Sequence, residues 1–113
     1  MMASVDELYS ESEELKDAGD FEAAISKLNE LLDLDETHVL SHLALAVLLG
    51  KVGQHEKSVV HGQKACELDP NDPFNFTAMS VTYQRAFAGT QNQQYIQSAE
   101  DAMAKSQMLQ SQQ

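Results

Sequence analysis

The sequence is poor in several residue types, and each shortage excludes a class of protein. Only one of the 113 residues is a cysteine, Cys66, so no disulfide can form within the chain and we expect a reducing, cytoplasmic setting. Lysine and arginine number 7 against 18 aspartate and glutamate residues, a net charge of −11. Such a chain repels phosphate backbones and anionic lipid headgroups. We therefore expect neither nucleic acid nor a membrane surface as its partner.

Long apolar runs are also missing. The longest, residues 39–49, is 11 residues long and includes Ser41 and His42, whereas a helix needs about 20 apolar residues to cross a bilayer. The first 15 residues are acidic and contain no apolar stretch, unlike a secretory signal. With two prolines, five glycines and 42% hydrophobic residues, the composition indicates a soluble, helical, globular chain of one domain, residues 1–113.

What the sequence does contain is a repeat of 34 residues. Residues 53–70 (GQHEKSVVHGQKACELDP) align with residues 19–36 (GDFEAAISKLNELLDLDE). Six pairs keep this spacing: Leu15 and Leu49, Gly19 and Gly53, Ala24 and Ser58, Leu31 and Ala65, Leu34 and Leu68, and Asp35 and Asp69. A third copy begins when His42, Leu45, Ala46 and Leu49 are moved by 34 onto Phe76, Met79, Ser80 and Tyr83. A fixed period of this length predicts an array of helix pairs.

Capping signals divide each copy into two helices. Ser4 followed by Glu7 is a capping box, Gly19 ends the first helix, and Asp20 caps the second. Thr37 is the expected cap of an almost wholly apolar third helix, and Asp72-Pro73 restarts the chain after the fourth. In the third copy the spacing lengthens from 34 to 40, which predicts that six added residues, AGTQNQ at 88–93, form an exposed and tolerant loop between the fifth and sixth helices.

These features together resemble the tetratricopeptide repeat, a 34-residue helix–turn–helix unit. The second copy carries the pattern best, through Leu45, Ala46, Leu49, Gly53, Ala65, Leu68, Asp69 and Pro70. Gly62 departs from it, because the family has a bulky residue at that position. The resemblance implies an all-α, right-handed superhelical stack of three antiparallel helix pairs, with repeats at about 5–38, 39–72 and 73–109.

The resemblance also implies a function. Proteins of this family commonly bind a peptide or a partner helix on the concave face, which the first helix of each pair lines. Carried over by position, the candidate partner-binding residues are Tyr9, Leu40, Leu43, Val47, Phe74, Thr77 and Val81. The Lys, Asn and Arg clamp of chaperone-tail binders is absent, since Tyr9, Glu13, Ala44, Phe74 and Ala78 stand at those places.

The leading hypothesis is therefore a protein-interaction module that catalyses no reaction and needs no cofactor. Residues 1–36 hold 12 acidic residues against 2 lysines, which is compatible either with a basic partner that these charges attract or with charges that serve only solubility. One alternative is a structural subunit that associates with a second copy, since the last repeat has no capping helix. A weaker alternative is a metal protein: His38 and His42 lie four residues apart, with His55 and His61 elsewhere, but no metal-binding motif surrounds them.

Overall fold

The computed structural model describes residues 3–113, which form an all-α chain. Within these residues there are six helices and no strand. The helices are α1 (Val5–Asp17), α2 (Phe21–Leu34), α3 (Val39–Lys51), α4 (His55–Leu68), α5 (Pro73–Thr90) and α6 (Gln94–Ser111). The repeat period therefore predicted the number and order of the helices. Each of the three copies forms one pair of helices that pack closely on each other.

Most helix ends follow from the local sequence. Ser4 and Glu7 form the expected capping box, and the carboxylate of Asp20 accepts the backbone N–H of Ala23. Asp72 caps α5 by accepting the N–H of Phe74. Gly19 and Gly53 have φ angles of 83° and 82°, a left-handed conformation in which a side chain would be strained. The chain can therefore reverse direction between the two helices of the first and second pairs.

The start of α3 differs from the prediction. The cap is His38, whose Nδ1 accepts the backbone N–H of Ser41 at 3.2 Å. Thr37 is not the cap, because its N–H and its hydroxyl both donate to the Asp35 carboxylate, at 3.0 and 2.7 Å. Asp35 thus closes the turn between the first two pairs, and the histidine satisfies the free N–H group of the next helix.

The prediction that residues 88–93 form a loop holds only for the last three of them. Residues 88–90 continue α5, which has 18 residues where α1 and α3 have 13. The helix ends at Thr90, and the residue that caps it, Gln91, takes a left-handed conformation with φ of 62° and donates its N–H to the carbonyl of Phe87. Only residues 91–93 connect α5 to α6. The prediction was wrong because Gly89 was interpreted as a loop residue, although it lies inside the last turn of the helix.

Two apolar clusters form the core. One joins the first pair to α3 and contains Ala24, Leu28, Leu45, Leu48 and Leu49; the other joins α4 to the third pair and contains Val59, Met79, Ala86 and Ala102. Consecutive pairs also touch, through contacts of α2 with α3 and of α4 with α5. A core to which consecutive units contribute is typical of stacked repeats, in which each unit covers the apolar face of the next. The right-handed sense of the stack stays a prediction.

Candidate partner-binding surface

The first helices of the second and third pairs, α3 and α5, contact each other directly. On α3 the residues expected to pack inside the repeat are buried: His42, Leu45, Ala46 and Leu49. Leu48 is also buried, with 2% of its surface exposed. The helix therefore turns one side to the core, and the candidate binding residues of α3 lie on the remaining surface.

Three apolar side chains on these two helices are open to solvent. Phe74 is 62% exposed, Leu40 55% and Val81 37%. Leu40 and Phe74 occupy equivalent positions of consecutive repeats, and Leu43 and Val47 are half-buried on the same helix as Leu40. We call Leu40, Phe74 and Val81 the open apolar surface. Exposed apolar side chains on adjacent helices favour contact with another molecule.

The two other candidate residues are engaged within the fold. The Tyr9 ring packs against the first core cluster, and its centroid lies 5.6 Å from that of His38. Burial, together with the nearby Glu13 carboxylate, raises the pKa of the Tyr9 phenol above its ordinary value. The Thr77 hydroxyl lies 2.6 Å from the Ser106 hydroxyl on α6. Neither polar group is therefore as free as its position in the repeat suggests.

The first helix pair is strongly acidic at its surface. Its two lysines form three ion pairs: Lys16 with Asp17 at 3.8 Å, and Lys27 with Glu11 at 3.2 Å and Glu30 at 3.7 Å. The other carboxylates of this pair have no lysine or arginine within ion-pair distance in the described part of the chain. Exposed carboxylates in excess attract cations and basic segments over a distance of about 10 Å at moderate salt.

Three of the four histidines, and the cysteine, form hydrogen bonds within the fold. His38 caps α3, whereas His42 is paired with His61 of α4, a residue 19 positions away. His38 and His42 are thus held by separate hydrogen bonds, and residues 3–113 contain no group of three or more His, Cys, Asp or Glu placed to hold a metal ion. Burial, and to a lesser extent Glu67, raises the pKa of the Cys66 thiol to about 11.

A depression that the sequence did not predict lies between α4, α5 and α6. It has a volume of about 540 Å³, and its lining includes Cys66, Phe76, Met79, Tyr83, Ala102 and Lys105. The signal in the sequence was the small size of Gly62 and Ala102, which occupy the position where the family has a bulky residue. The sulfur of Met79 fills the space over Gly62, since a β-carbon there would lie 2.6 Å from it. At Ala102 the depression stays open.

Solved structures identify the fold. MamA matches with a TM-score of 0.81 and 15% identity over 96% of this chain and 60% of its own chain; YrrB, a TPR protein with an unusual peptide-binding site, gives 0.79 and 18% over 96% and 53%. A second MamA structure gives 0.70 and 17% over 90% and 56%. This chain thus spans between 53% and 60% of the length of these proteins.

Sequence comparison adds no relative, because neither a protein-family model nor a curated protein matches the chain. The described helices also include none with the length and apolar character needed to cross a membrane. The structural matches cover nearly the whole chain, and the residues at the period of 34 supply the same helix pairs. The chain therefore has the tetratricopeptide-repeat fold.

Proposed function

We propose that this protein is an interaction module, which binds a helix or peptide of another protein on the open apolar surface of α3 and α5. The observation that carries the proposal is the exposure of Leu40 and Phe74, at 55% and 62%. Both are large, and a monomeric fold gains nothing from leaving them in water. The peptide-binding site of YrrB supports the proposal by analogy. We further propose that the module catalyses no reaction and acts in the cytoplasm.

The exposed area sets the strength of binding. Full burial of a large apolar side chain contributes about 1.5 to 3 kcal/mol, and the three residues of the open apolar surface are roughly half exposed. Covering them therefore yields about 2 to 5 kcal/mol in total, while association itself costs about 4 kcal/mol or more. The apolar surface alone supports only weak binding, so further contacts must contribute.

The acidic first pair is the best source of those contacts. Asp6 and Glu13 on α1 are exposed and hold the positions that correspond to Leu40 and Val47 one repeat later. A partner with apolar residues at one end and lysine or arginine at the other would satisfy both surfaces. We therefore propose a basic, amphipathic segment as the partner, bound reversibly and with an association rate that depends on salt.

Peptides displayed on phage, selected against the immobilised protein, test this proposal. We expect the selected sequences to combine apolar residues with lysine or arginine, and to lose binding to the double variant Leu40→Glu, Phe74→Glu. The matched control is Val60→Glu. Val60 is 60% exposed, about as much as Leu40 and Phe74, but it lies on α4, the second helix of its pair and therefore outside the proposed surface. Equal loss of binding in the control, or selected peptides without basic residues, would refute the proposal.

Self-association is a second candidate, favoured by the apolar outer side of the last pair. Ile96 is 43% exposed there, beside a depression of about 350 Å³ whose lining includes Phe87 and Met103. In a longer array this side would be covered by the next repeat. Light scattering after size exclusion tests the candidate: a dimer at tens of micromolar that Ile96→Glu converts to a monomer supports it, and a wild-type monomer rejects it.

A further inference from the structure

His42 and His61 form a hydrogen-bonded pair between α3 and α4. Their Nδ1 atoms lie 3.0 Å apart, and the Nε2 of His42 lies 2.9 Å from the backbone carbonyl oxygen of Glu36. His42 is buried, with 6% of its surface exposed, and His61 is half-buried. The pair therefore joins three segments: the turn before α3, the first turns of α3, and the middle of α4.

The two hydrogen bonds fix where the protons are. A carbonyl oxygen only accepts, so the Nε2 of His42 must carry the proton that it donates to Glu36. In neutral His42 the Nδ1 is then a bare lone pair, and the Nδ1 of His61 must be the donor to it. The ring centroids are 5.2 Å apart. This distance is about the sum of the 3.0 Å between the two Nδ1 atoms and the radii of the two rings, so the two Nδ1 atoms lie between the ring centres. The two nitrogens thus face each other with room for one proton between them.

We propose that His42 and His61 act as a proton-sensitive latch, which holds α3 against α4 while at most one of the two imidazoles is charged. A first proton can bind to the free Nε2 of His61 and leaves the hydrogen bond intact. A second proton must bind to the Nδ1 of His42, where it would face the N–H of His61 at 3.0 Å. Two N–H donors repel at that distance, so the latch opens.

Counting protons gives the effect on stability. Both histidines of the unfolded chain become charged below about pH 6.5, whereas the closed latch holds one proton at most. Unfolding in that range therefore takes up at least about one proton, and the unfolding constant rises as the pH falls. Burial, with a smaller contribution from His42, lowers the pKa of His61 in the folded protein. This shift acts in the same direction, because it keeps stability complete above about pH 6.5 and reduces it below.

The surrounding charges do not remove this effect. Glu36 in the turn before α3 and Glu67 on α4 line the same surface depression as the two imidazoles, together with Lys64. The carboxylates favour a first charge on the pair and the ammonium opposes it. None of them provides an acceptor between the two Nδ1 atoms, where the second proton would have to lie. The direct contact between the rings therefore sets the limit of one proton.

The variant His61→Gln tests the latch, because a glutamine amide does not titrate and can interact with both protonation states of His42. Its NH2 group can donate to the bare Nδ1 of His42, and after the amide turns over its oxygen can accept from the protonated Nδ1, so His42 can be charged in the folded variant. Urea denaturation from pH 5 to 7.5 gives the number of protons taken up on unfolding from the slope of the unfolding constant. We expect the wild type to take up about one more proton than His61→Gln below pH 6.5. His38→Asn is the control, since asparagine is a good cap for α3 and the change leaves His42 and His61 in place. On unfolding, this variant should still take up about one more proton than His61→Gln.

Parallel pH profiles of the wild type and His61→Gln would overturn the proposal. Nitrogen NMR of the wild type at pH 7.5 gives an independent test that needs no variant to fold. We expect the Nε2 of His42 to be protonated and its Nδ1 to be bare. The opposite tautomer, with the proton on Nδ1, would also overturn the proposal.

Discussion

The clearest quantitative prediction concerns Gly89, in the last turn of α5. A β-carbon at this position would overlap the Nε2 of His55 and lie 2.6 and 2.7 Å from two further atoms of the same ring. Atoms at such distances overlap, so Gly89→Ala forces the imidazole or the end of α5 to move. Replacing glycine by alanine in a helix normally stabilises by about 1 kcal/mol, but overpacking costs about 1 to 3 kcal/mol. The difference between these two effects is a net loss of up to about 2 kcal/mol in the free energy of unfolding.

Gly50→Ala is the matched control. Gly50 is the next-to-last residue of α3, as Gly89 is of α5, but a β-carbon on Gly50 would lie 3.5 Å from the Ser58 hydroxyl oxygen, an ordinary contact. We expect this substitution to be neutral or to stabilise by about 0.5 to 1 kcal/mol. Urea denaturation at pH 7.5 measures both changes.

The double variant with His55→Ala identifies the cause. If the imidazole is the obstacle, Gly89→Ala should cost less than about 0.5 kcal/mol when His55 is already alanine, and the two changes will not be additive. A gain of stability for Gly89→Ala in the wild-type background would refute the reasoning. A loss of the same size in both backgrounds would show that the overlap with His55 is not the cause.

Three further predictions follow from burial and charge. Leu28 is fully buried, so Leu28→Ala should lower the free energy of unfolding by about 2 to 5 kcal/mol, whereas Leu40→Ala should lower it by less than about 1 kcal/mol. Urea denaturation measures both, and similar losses for the two variants would contradict the division between core and open apolar surface. Because the pKa of Cys66 is about 11, about one thiol in a thousand is ionised at pH 8, and Ellman's reagent should react far more slowly with the folded than with the unfolded protein. The association rate of a selected basic peptide should fall between low and high salt in stopped flow, and a constant rate would mean that the acidic first pair serves only solubility.

Local chemistry explains which parts of the fold could be predicted. Asp20 and Asp72 cap their helices through side chains that reach N–H groups two or three residues away, so a short window of sequence contains the whole interaction. Gly19 and Gly53 mark left-handed turns for a similar reason. The sequence does not predict His38 as the cap of α3, because histidine is an uncommon cap. Thr37 is the more usual residue for this role, but its N–H donates to Asp35, and His38 accepts the N–H of Ser41 instead.

The remaining differences depend on contacts between distant residues. Gly89 resembles a loop residue in sequence, but its lack of a side chain allows the end of α5 to pack against His55, 34 positions earlier. His42 was considered with His38 because of their spacing, whereas its partner is His61, on another helix. Position in the repeat alone assigns Tyr9 and Thr77 to the binding surface, whereas their contacts with the core and with Ser106 arise only when the helices pack.

Methyl NMR with a peptide selected against the protein tests the proposed binding surface most directly. Leu40 and Val81 lie on the first helices, while the equally exposed Val60 and Ile96 lie on the second helices of the same two repeats. Titration of the peptide should shift the methyl resonances of Leu40 and Val81 and leave those of Val60 and Ile96 unchanged. Shifts confined to Val60 and Ile96 would contradict the proposal, because the partner would then bind the opposite side of the stack.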